Sequence, residues 1–123
     1  MAKRVLDVGQ CGFDHGQIRK LIESHFGAEV IQAHDAEGAL AELRNGEYNL
    51  VLINRKLDGN GSDGFDVLKS IKADEALAEI PVMLVTNYPE HQAAAVAAGG
   101  TRGFGKAELD SAETLERLRA TLG

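Results

Sequence analysis

Apolar and polar positions along this chain switch between two spacings. Short, nearly continuous apolar runs at Arg4–Val8, Ala28–Ala33, Leu50–Asn54, Pro81–Val85 and Thr101–Gly105 predict strands. Between and after them, apolar residues recur on single helical faces. Ile18, Leu21, Ile22 and Phe26 form one such face, Ala36, Leu40 and Leu43 a second, Phe65, Leu68 and Ile71 a third, and Leu115, Leu118 and Leu122 the last. An Ala-rich segment opened by Pro89 and closed at Gly99-Gly100 predicts the fourth of five helices. Asp14 with Gln17 reads as a capping box for the first helix, which Gly27 ends. Asp35 and Asp63 read as caps of the second and third, and Asp110 with Glu113 opens the fifth. Strands alternating with helices of this length imply βαβ units, parallel pairing and right-handed crossovers.

The run Leu50-Val51-Leu52-Ile53 has no polar face, so it reads as a strand buried on both sides. It stops abruptly at Asn54. In open α/β sheets the chemistry sits at the carboxyl ends of the strands. A carboxylate at such a position accepts a phosphoryl group, whereas an uncharged amide does not.

Composition narrows the field. The 123 residues suffice for one compact domain, with 44% hydrophobic and 26% charged residues. There is no linker, repeat or low-complexity tract, so residues 1–123 are expected to form a single domain. A formal net charge of −6 argues against nucleic acid or an anionic membrane as partner. No apolar stretch reaches transmembrane length and no signal-peptide pattern opens the chain, so a cytoplasmic location is expected. The single Cys11 excludes an internal disulfide and a multi-cysteine metal cage, and reads as an inert thiol.

Three segments together resemble the receiver domain of two-component response regulators. NLVLINRKLDGNGSDGFDVLKSIK resembles the segment in which a strand delivers the phosphoacceptor. IPVMLVTNYPEH resembles the fourth strand ending in the family's Thr or Ser, here Thr86, and AAGGTRGFGKAEL the fifth ending in its Lys, here Lys106. The resemblance covers nearly the whole chain. It implies a doubly wound, flavodoxin-like (βα)5 fold with a five-stranded parallel sheet in the order 2-1-3-4-5.

The resemblance also implies a site, and this chain departs from it. The phosphoacceptor-equivalent position is Asn54. The acidic pair that holds a divalent cation in the family falls on Gly9 and Gln10, with Asp7 as the alternative, and none of these but Asp7 is an anionic ligand. Thr86 and Lys106 are retained, with Lys106 expected to pair with Asp7, Asp58 or Asp63 and neutralise the pocket. Ala107 replaces the family's Pro, and Gly103 stands where its switching aromatic is usual. Asp14, Asp58 and Asp63 are read as turn and cap residues rather than a cation site.

The expected function is therefore a signalling pseudo-receiver, a protein-interaction module independent of phosphate, with no catalytic residues, no metal site and no cofactor, Mg2+ included. A receiver regulated by a ligand or by non-standard phosphorylation is one alternative. A small flavodoxin-like cofactor-binding protein or enzyme is another. The expected partners are proteins, a signalling kinase or an output domain. A homodimer through the fourth helix, fifth strand and fifth helix is the further alternative. That surface is expected because HQAAAVAAGG is small and weakly polar; on the opposing reading, Ala93, Val96 and Ala97 pack into the core.

Overall fold

The computed structural model describes residues 3–123. Five strands alternate with five helices: β1 (Arg4–Val8), α1 (Gly12–Phe26), β2 (Glu29–Ala33), α2 (Ala36–Asn45), β3 (Leu50–Asn54), α3 (Gly64–Ala73), β4 (Val82–Val85), α4 (Pro89–Ala97), β5 (Thr101–Phe104) and α5 (Ala112–Leu122). A 3-10 turn, Lys106–Glu108, joins β5 to α5. The strands are parallel, in the order β2-β1-β3-β4-β5. The expected fold is the observed one.

Helices cover both faces, so each central strand is apolar on both. Leu6, Val8, Val51, Ile53, Val82 and Leu84 meet α2, α3 and Ala95 of α4 on one side. Val5, Leu50, Leu52, Met83, Val85 and Phe104 meet α1 and α5 on the other. This double burial makes the strands legible as apolar runs and aims all their carboxyl ends at one edge.

The capping expectations hold in part. The Asp35 side chain accepts from the Gly38 N–H and Asp63 from the Phe65 N–H, so both are caps. Gly27 ends α1 in the left-handed region, with φ 64°. Asp14 and Gln17 do not open α1. The helix begins at Gly12 behind Cys11, whose side chain makes no cap bond, and Asp14 lies inside the first turn. Asp110 is likewise displaced, because the Ser111 hydroxyl accepts from the Thr114 N–H and takes the cap position of α5. Ala93, Val96 and Ala97 do not pack into the core: they are exposed, and Ala95 is the buried alanine of α4.

Candidate functional site

The carboxyl edge is organised around Gly9. Its φ of 79° reverses the chain immediately after β1, and a Cβ there would lie 2.9 Å from the Leu57 Cα. The Gly9 carbonyl thereby faces the β3–α3 loop. It accepts from the Asp58 N–H at 3.0 Å and from the Asn54 side chain at 3.2 Å. Asn54 Nδ2 also donates to the Lys56 carbonyl at 2.7 Å. One amide nitrogen thus uses both its hydrogens to tie the loops after β1 and β3 together.

Asp7 is fully buried on β1. Its Oδ2 lies 2.7 Å from His15 Nδ1, and its Oδ1 has no hydrogen-bond partner. Burial pushes its carboxyl above the usual carboxylate value, opposed by the His15 hydrogen bond and charge. The neighbouring Gln10 amide also favours the charged form of Asp7. Even so, Gln10 is completely buried and neither its Nε2 nor its Oε1 has a partner at hydrogen-bond distance. Gly9 and Gln10 therefore bring a backbone turn and an unpaired amide to the edge.

Lys106 does not pair with Asp7, Asp58 or Asp63. Its Nζ donates to Asp14 Oδ2 at 2.8 Å, a partner that capping logic had hidden. That bond, chiefly, holds the Asp14 carboxyl below its ordinary value. Cys11 Sγ donates to the same oxygen at 3.3 Å. Asp58 faces His34 Nδ1 at 2.9 Å, and Asp63 faces Arg55. The three aspartates hence lie in separate pairs. Among the described residues no group of three His, Cys, Asp or Glu side chains is placed to hold a metal ion.

Thr86, at the end of β4, is turned toward the start of α4. Its Oγ1 lies 3.1 Å from His91 Nδ1 and accepts from the Tyr88 N–H at 3.3 Å. Next to it is a residue that sequence reading missed. Gln92 is nearly buried and donates to the carbonyls of Leu84 and Thr86, at 2.9 and 3.2 Å, while its Oε1 accepts from the Gly103 N–H at 2.8 Å. The signal available was a lone amide in an Ala-rich helix. A cleft of about 480 Å³ opens beside the Lys106–Asp14 pair, between α1 and the 3-10 turn, lined by Phe13, Asp14, Lys20, Leu21, Lys106 and Leu109 among others.

The topology agrees with the comparisons. The family model of the response regulator receiver domain matches residues 14–118. The chain belongs to that family. It is 31% identical over 88 residues to Chemotaxis protein CheY-3 of Vibrio cholerae, a match covering 71% of this chain and 66% of that protein, just under two thirds. A gliding motility regulatory protein of Myxococcus xanthus is 30% identical over 97 residues, 75% of this chain and 12% of that protein. The chemotaxis response regulator CheY4 of Vibrio cholerae has the same fold, with a TM-score of 0.77 at 20% identity over 99% of this chain and 100% of that one. So does the Mn(2+)-bound form of response regulator Rcp1, with a TM-score of 0.75 at 21% identity over 98% and 99% of the two chains. The chain is thus a receiver domain of the two-component signalling class. No helix among the described residues is long and apolar enough to cross a membrane.

Proposed function

We propose that this receiver domain is a pseudo-receiver: one cytoplasmic domain over residues 1–123 that signals through protein contact and takes no phosphoryl group at Asn54. The observation that carries this reading is the Asn54 amide, which donates to the Gly9 and Lys56 carbonyls. A carboxylate nucleophile needs a free oxygen and compensating positive charge. Here the position holds a donor already engaged, and Lys106 is engaged by Asp14.

The residues present do not fit a divalent cation. A hard cation needs convergent oxygen ligands. At this edge Asn54 directs hydrogens at the two carbonyls, Gln10 is an uncharged amide, and the one carboxylate on β1, Asp7, is buried against His15. The neighbour that holds Mn2+ shares the fold and not, on this reading, the site.

The partner is a protein, a signalling kinase or an output domain. Exposure of Tyr88, Val96 and the alanines beside it supports contact through α4, β5 and α5, a homodimer included. Intact mass after incubation with acetyl phosphate and Mg2+ tests the central claim. No acid-labile adduct is expected, and a stoichiometric one overturns the reading. Sedimentation of wild type against Ala94→Glu tests the homodimer, which fails if the wild type stays monomeric as concentration rises.

A further inference from the structure

The sheet has one irregularity, and two helices meet on it. Met83 pairs with Thr101 and Val85 with Phe104, so one residue of β4, Leu84, lies opposite two of β5, Arg102 and Gly103. An extra residue in one strand leaves backbone groups without ladder partners. Buried backbone groups need replacements. Gly103 is buried in this bulge. Its N–H donates to Gln92 Oε1 of α4 at 2.8 Å, and its carbonyl accepts from the Arg117 guanidinium of α5 at 3.0 Å. A single residue of β5, through the two peptide groups on either side of its Cα, is therefore the shared anchor of the two helices that flank it.

Neighbouring contacts tighten the same place. The other end of the Gln92 amide holds the Leu84 and Thr86 carbonyls of β4. His91, one residue earlier on α4, faces the Thr86 hydroxyl. Asn87 Oδ1 accepts from the Ala107 N–H, joining the β4–α4 connection to the turn after β5. No side chain fits at the anchor, since a Cβ on Gly103 would lie 2.5 Å from the Leu84 carbonyl oxygen.

We propose that Gly103 is a pin that joins α4, β5 and α5 into one rigid body, with Gln92 and Arg117 as its two latches. On the pseudo-receiver reading, this is how a partner-facing surface is presented in one arrangement without a phosphate-dependent movement. Displacing either helix strips a buried peptide group of its partner, so the helices move together or not at all.

Amide hydrogen exchange at pH 7, without any phosphoryl donor, tests the pin. In the wild type the Gly103 amide is expected to be protected as well as the amides of β3. Gln92→Met keeps the bulk and removes the latch. It is expected to speed exchange at Gly103 and across Ala95–Ala98 by an order of magnitude or more, the factor of about one net hydrogen bond, with β1 and β3 changing less. Arg117→Met, the milder variant, is expected to speed exchange in α5 and also in α4. Fast exchange of Gly103 in the wild type overturns the proposal. So does a rise in Gln92→Met spread evenly over all strands, or an Arg117→Met effect confined to α5. If Gln92→Met does not fold, the Arg117→Met pattern decides alone. An acid-labile adduct from acetyl phosphate would sink the pseudo-receiver reading and leave these exchange patterns, and the pin, intact.

Discussion

Two buried glutamines stand at the two halves of the carboxyl edge. Gln92, beside β4 and β5, makes three hydrogen bonds and ties two strands to a helix. Gln10, after β1, is at least as deeply buried, and its side-chain amide makes none. Burying an amide is unfavourable unless its hydrogen bonds with water are replaced. The β4–β5 half meets that condition through a side chain supplied by α4. The β1–β3 half meets it only at Asn54, leaving Gln10 and one oxygen of Asp7 without partners. Similar chemistry thus acts as a fastener in one half and a local strain on stability in the other.

The largest expected effect comes from cutting the fastener. Gln92→Met removes side-chain hydrogen bonds from two carbonyls and one buried N–H, and is expected to lower stability by about 2–4 kcal/mol in urea denaturation. A loss below about 0.5 kcal/mol would mean the two glutamines do not differ as described.

Asn54→Asp probes the better-satisfied element of the other half. It sets a carboxylate against the Gly9 and Lys56 carbonyls, with Lys106 committed to Asp14. A loss of about 1–3 kcal/mol in urea is expected, without gain of phosphorylation. A stability equal to wild type would show that the loops reseat around the new charge.

Asp7 gives a pH signature. Burial raises its folded-state pKa, so the folded protein holds this proton more tightly than the unfolded chain. Its contribution is full below the unfolded value of about 3.9 and is lost as pH rises through the raised folded value. Wild type should therefore lose stability relative to Asp7→Asn over that rise, seen in urea midpoints across an acid-to-neutral series. A difference that grows in favour of wild type would mean that the His15 pairing outweighs burial. The smallest effect is expected at the orphan: Gln10→Leu should be neutral or stabilising by up to about 1 kcal/mol, because no hydrogen bond within the protein is lost. A destabilisation beyond about 2 kcal/mol would show that Gln10 has partners after all.

The central strands were readable because both their faces are buried, and β1 and β3 have the predicted bounds. Asp35, Asp63, Pro89 and Gly27 announced helix ends by local chemistry that tertiary packing leaves alone. Asp14 misled because an aspartate near a helix start serves a cap and a distant lysine equally well, and only the fold brings Lys106, 92 residues away, to it. Asp110 misled because Ser111 beside it competes for the same orphan N–H. The Asn54 amide was legible as a departure, but its two acceptors were not, since one lies across the sheet on Gly9. Gln92 was silent because its value depends on a bulge, and a bulge is a property of two strands in register.

The Asn54 fastening has a consequence for how such a domain can carry information. A part whose edge is set by an exchangeable ion or phosphoryl group reports the chemical state of its surroundings from moment to moment. An edge closed by the chain's own amide is set when the polypeptide folds. On the pseudo-receiver reading, what then varies is the number of copies relative to partners, so by mass action the occupancy of any complex tracks synthesis and turnover.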